Sequence, residues 1–193
     1  MRLIAWIGIR PWLIGVLASA AAMFLGYELG SEIAKLFGGE PELLARIGKG
    51  FAWGGVIGAL QWPVVRTVGV PPMRFLMASA VGFAAGYPLG QTIQLTLAFQ
   101  WSLHWGGYAM ALATFGLCLG LLQWWAFRRQ IPRSGRWILF SVAAWMLSGA
   151  VATGPRIDAL DSGVYGLVAG LGLVWLVRTR RPRGAAGAVT ATN

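Results

Sequence analysis

Carboxylates, histidine and cysteine are nearly missing from this 193-residue chain, which holds six Asp and Glu, one His and one Cys. A single cysteine, Cys118, excludes an intrachain disulfide and a cysteine-based metal site. Lying inside an apolar run, it reads as a small buried hydrophobe. A single histidine leaves no imidazole pair. The six acids fall near helix ends and loops, and none makes an intramembrane carboxylate pair. No Ser-His-Asp set, HExxH motif or phosphate loop occurs. The expectation is a protein that is not an enzyme and has no metal site. Charge of either sign is also scarce, at 11% of residues, against roughly 25% in soluble domains. Too few charges remain to cover a surface in water, so hydrocarbon must be the solvent for most of the chain.

What is present is apolar and repetitive. Hydrophobic residues make up 57%, with 28 glycines and 11 tryptophans. The segment Gly54-Gly55-Val56-Ile57-Gly58-Ala59-Leu60-Gln61-Trp62-Pro63-Val64-Val65-Arg66 returns as Gly116-Leu117-Cys118-Leu119-Gly120-Leu121-Leu122-Gln123-Trp124-Trp125-Ala126-Phe127-Arg128. Ala18-Ser19-Ala20 and Gly26-Tyr27-Glu28-Leu29-Gly30 return as Ala78-Ser79-Ala80 and Gly86-Tyr87-Pro88-Leu89-Gly90. A weaker third copy carries Arg136, Trp137 and Ser141 for Arg74, Phe75 and Ser79, and Gly166, Gly170 and Arg178 for Gly116, Gly120 and Arg128. Leu173 replaces the glutamine there. Internal repetition of this kind points to stacked copies of one unit.

The pattern predicts an all-α membrane fold of six transmembrane helices, arranged as three consecutive helical hairpins. The repeats cover about 11–66, 73–129 and 136–178. The helices fall near 12–29, 47–65, 73–90, 105–127, 137–152 and 162–177, most close to the ~20 residues that a hydrocarbon core requires. Residues 1–181 form one domain, and 182–193 read as a disordered tail with a basic start. The opening run with Ala18-Ser19-Ala20 imitates a signal peptide and its cleavage site. Arg10-Pro11 interrupts it, and its copy at 78–80 assigns it to the fold.

Charge then orients the chain. Twelve of the 16 basic residues fall at the N-terminus, in the 2–3 and 4–5 loops and in the tail, whereas all six acids fall on the other side. Cytoplasmic loops concentrate Lys and Arg, so both termini are expected in the cytoplasm. Tryptophans 12, 62, 124, 125, 137 and 175 lie near the basic ends and read as an interfacial belt. The net charge of +10 follows from this topology and does not indicate nucleic acid; it should favour anionic headgroups at the cytoplasmic face.

Packing in lipid relies on small residues that let backbones approach. Gly26 and Gly30, Gly54 and Gly58, Gly82, Gly86 and Gly90, Gly116 and Gly120, and Gly166 and Gly170 form stripes at every fourth position. Among polar residues, Gln61 and Gln123 stand out, each five before an Arg. They are expected either to bond neighbouring helices or to contact a ligand between repeats. His104, between Trp101 and Trp105, is the candidate for cofactor contact, ligating a metal or a tetrapyrrole magnesium, although a lone interfacial His is more often merely solvated. Glu28 and Glu32 read as a solvated helix end, and Asp158 and Asp161 as caps for the sixth helix.

The repeated Gly-x-x-x-Gly-x-x-Gln-Trp-x-x-x-Arg helix resembles those of bacterial multi-pass membrane proteins built from such helices. That resemblance implies the architecture, and a bacterial inner (cytoplasmic) membrane location, but no activity. The functional expectation is a non-enzymatic accessory or structural subunit that packs on partner helices, lipids or pigments. No cofactor is demanded by the residues. The alternative is a small transporter or channel with a polar path past Gln61, Gln123 and the serines.

Overall fold

A computed structural model describes residues 11–101, 104–151 and 159–179. The N-terminal segment at 1–10, the expected cap Asp158 and the expected tail at 182–193 lie outside the described residues. Among the described residues the chain is helical, without strands. The helices are α1 (Pro11–Leu36), α2 (Leu43–Val65), α3 (Pro72–Trp101), α4 (His104–Phe127), α5 (Arg136–Val151) and α6 (Ala159–Arg178), with a 3-10 turn at Arg66–Val68. Among the described residues three stretches are long and apolar enough to cross a membrane: Trp12–Leu36, Gly106–Phe127 and Ala159–Leu176.

The helix ends follow local chemistry. Pro11 opens α1, where a missing N–H costs nothing. Gly38 and Gly39 take φ of 89° and 88° beyond its end, and the Gly39 N–H donates back to the Ala34 carbonyl at 3.0 Å. A side chain would resist that left-handed turn. Helix α3 is longer than the 73–90 expected and runs on to Trp101. Residues 91–101 contain no Gly or Pro to stop it, and the Thr92 hydroxyl is satisfied within the helix by the Pro88 carbonyl at 2.9 Å.

Each helix packs on its chain neighbours, and α6 closes back onto α1 to make a six-membered ring. The glycine stripes mark the seams. A Cβ on Gly58 would stand 3.0 Å from Leu76 Cα, one on Gly120 would stand 3.1 Å from Ile138 Cα, and one on Gly170 would stand 2.5 Å from Val16 Cα. These are corresponding positions in α2–α3, α4–α5 and α6–α1. Gly26 and Gly30 face Trp53 and Lys49 across α1–α2. Gly82, Gly86 and Gly90 face Cys118 and Phe115 across α3–α4, and Gly54, Gly116 and Gly166 face backbone at Ser79, Ser141 and Val16. Backbones in such contact gain dispersion energy over their whole length, the main source of helix association in lipid.

Candidate functional site

The ring encloses two polar clusters separated by aromatic rings. The first is built on the repeated glutamines. Trp137 Nε1 donates to Gln123 Oε1 at 2.8 Å. An indole N–H can only donate, so Gln123 turns its carbonyl to Trp137 and its amide nitrogen away. That nitrogen donates to Ser79 Oγ at 2.9 Å and to Gln61 Oε1 at 3.2 Å. Gln61 Nε2 donates in turn to Ser19 Oγ at 3.1 Å, and the Tyr165 hydroxyl shares a further side-chain hydrogen bond with Gln61. Ser79 Oγ donates to the Phe75 carbonyl at 2.9 Å. All six residues are buried, where an unpaired amide would be costly.

Ser19 and Ser79 come from α1 and α3, and Gln61 and Gln123 from α2 and α4. Gln61 reaches Ser19, and Gln123 reaches Ser79 by the same geometry. On α6 the residue that sequence matches to Gln123 is Leu173, and buried Ser141 Oγ on α5 has no partner. The two glutamines singled out from sequence are thus brought together. Trp137, read as an interfacial tryptophan, is instead in the core and 1% exposed. Its proximity to Arg136 in sequence suggested the interface, but the Gln123 carbonyl offers its N–H a partner inside the ring.

A column of rings fills the space beyond. Trp145 stacks on Phe83 with centroids 5.0 Å apart, and meets Trp53 at 5.4 Å and Phe115 at 5.5 Å. Phe115 stacks on Tyr87 at 5.4 Å. Tyr165 lies 5.3 Å from Trp145 and joins the column to the glutamine cluster. Edge-to-face and offset pairs of this kind add ~0.5–1.5 kcal/mol each beyond area burial.

The second cluster caps the column about 18 Å further along α2, at 1.5 Å per residue. Lys49 is 1% exposed and pairs with Glu40, whose side chain is 50% exposed. The ammonium lies 4.3 Å from the Tyr27 ring centre and 5.3 Å from that of Tyr87, within cation–π range. The Tyr87 hydroxyl donates to the Glu40 carboxylate. Lys49 lies in the second turn of α2, near its start. The sequence signal for its burial is the pair of aromatic residues Tyr27 and Tyr87, which correspond in the repeated segment.

Other candidates are less engaged. Glu28 is exposed, and Glu32 pairs with Lys35 at 2.6 Å on the surface. Asp161 is buried in the first turn of α6, where its Oδ1 accepts from the Ser162 N–H at 2.8 Å. The side chains of Trp101, His104 and Trp105 lie outside the described part. Chemically, the glutamine cluster offers amides, hydroxyls and an indole that do not titrate near neutrality, and the Lys49–Glu40 pair neutralises itself. Protein-family models, curated proteins and solved structures contain no match to this chain.

Proposed function

We propose that this chain is a non-enzymatic, multi-pass structural or accessory subunit of a bacterial inner membrane. The carrying observation is that the polar groups of the glutamine cluster are spent on one another. Gln123 uses its carbonyl on Trp137 and its nitrogen on Ser79 and Gln61, leaving little capacity for a passing solute. The ring column beside it fills the interior with apolar surface. These features favour a packing role over the transporter reading, in which Gln61 and Gln123 would line a path.

The same reading has six crossings in three hairpin repeats, with both termini cytoplasmic. Every helix presents a large apolar side chain outward: Leu25, Phe51, Leu89, Leu117, Leu139 and Leu171. Such a surface suits lipid rather than water. Helix α5 has 16 residues and so reaches about 24 Å, a short span that a bilayer accommodates by local thinning. Partners would dock on this outer surface as helices, lipids or pigments.

Gentle purification of a tagged chain from its native membrane tests the role. Co-purifying helices, lipid or pigment in fixed proportion are expected; a bare monomer that supports solute flux would overturn the proposal. Labelling with an impermeant maleimide tests the threading. In a Cys118→Ser background, Glu42→Cys should react from outside and Arg133→Cys only after lysis.

A further inference from the structure

Among the described residues four guanidiniums lie over tryptophan rings: Arg66 over Trp62 and Arg128 over Trp124 within one helix end, and Arg74 and Arg136 over a tryptophan of another helix, at corresponding places in the second and third hairpins. Arg74 lies 4.5 Å from the Trp125 ring centre, and Arg136 lies 5.8 Å from that of Trp175. By the offsets of the repeat, Arg136 answers to Arg74 and Trp175 to Trp125. Neither arginine has an acidic partner among the described residues. Arg74 gives one N–H to the Trp125 carbonyl at 2.9 Å, but its Nε–H is buried and unpartnered.

Each pair also borders a pocket. The Arg74–Trp125 pocket, about 360 Å³, continues along Met73, Met77, Val81 and Leu122. The Arg136–Trp175 pocket, about 340 Å³, is more polar and adds Arg133 and Thr179. Arg133 holds φ at 60°, a left-handed conformation that is costly without glycine and that concentrates at ligand sites. In the first hairpin the corresponding residues are Ile14 and Pro63, so that hairpin lacks the pair.

We infer that the Arg74–Trp125 and Arg136–Trp175 pockets each hold one anionic phospholipid of the inner leaflet, the guanidinium taking the phosphate and the adjoining apolar surface an acyl chain. A planar, permanently charged guanidinium matches phosphate geometry. Tryptophan suits the headgroup level, where one edge is wet and the other apolar. The apolar floor below Arg74 fits a chain that continues into hydrocarbon. A free phosphate would have no use for that floor. The inference rests on the membrane reading above and makes it specific.

The test is native mass spectrometry of the full chain released from bilayers of equimolar phosphatidylglycerol and phosphatidylcholine. Two phosphatidylglycerols are expected to stay bound in preference to phosphatidylcholine. Arg74→Gln and Arg136→Gln should each lose one, and the double variant should lose both. Arg129→Gln, at an exposed arginine outside either pocket, should keep two. Arg74→Lys with Arg136→Lys should restore most of the preference, which separates charge recognition from a packing role. Equal retention of phosphatidylcholine, an unchanged count in the double variant, or displacement by millimolar inorganic phosphate would overturn the inference. A chain that fails to enter bilayers at all would instead sink the membrane reading itself.

Discussion

Replacing Gln123 with leucine should unfasten three helices at once. The substitution keeps side-chain volume and removes three hydrogen bonds: from Trp137, to Ser79 and to Gln61. Side-chain bonds within membranes average ~0.6 kcal/mol and reach ~1.7, so three are worth about 2 kcal/mol. The Trp137 N–H is left buried and unpaired, at a cost of ~1–3 kcal/mol. These overlap, because the orphaned donor is part of what the lost bond measures, and the expected loss is about 2–4 kcal/mol. Reversible unfolding in mixed micelles reads it. The indole N–H resonance of Trp137 supplies an independent check, since it should move upfield when its acceptor goes. Gln61→Leu should show coupling in a double-mutant cycle, because the amides bond each other directly. A Gln123→Leu protein within ~0.5 kcal/mol of the parent, with the Trp137 resonance unmoved, would refute the reasoning.

Adjacent glycines should respond with opposite sign. A Cβ on Gly54 would stand 2.7 Å from Phe83 Cβ and 2.9 Å from the Ser79 carbonyl carbon, whereas one on Gly55 meets nothing within 4 Å. Gly54→Ala should therefore cost ~1–3 kcal/mol in the same unfolding assay, and Gly55→Ala should stabilise by up to ~1 kcal/mol. The Lys49–Glu40 pair should be asymmetric: Glu40→Ala strands a buried ammonium, whereas Lys49→Met leaves a half-exposed carboxylate to water. Thermal melts should show the first as the more damaging. Leu173→Gln should be tolerated to within ~1 kcal/mol, because Ser141 Oγ waits without a partner; a cooperative unfolding curve with a large loss would argue against repeat equivalence at that site.

Much of the fold was legible because the chain repeats. Glycines at every fourth position announced the seams, and the paired Gln-Trp segments put Gln61 and Gln123 in matching registers. The serines were also visible, in Ala18-Ser19-Ala20, its copy at 78–80 and Ser141, but nothing local says that Ser19 and Ser79 would each face a glutamine of the next helix. Ring closure was hidden for the same reason: Gly170 against Val16 joins positions more than 150 residues apart, and no periodicity encodes such a pairing. Trp137 and Lys49 misled because each lies near a helix end, where tryptophan and lysine usually meet headgroups or water. Their burial depends on a carbonyl from α4 and on rings from α1 and α3, which only packing reveals.

The closing seam has a consequence for biosynthesis. Helix α1 leaves the ribosome well before α6, one of its two lasting neighbours. At about 5–20 residues per second, the groove around Gly15 and Val16 stays open to lipid or a chaperone for roughly 7–30 s. A chain stalled before α6 keeps that flank of α1 unfilled.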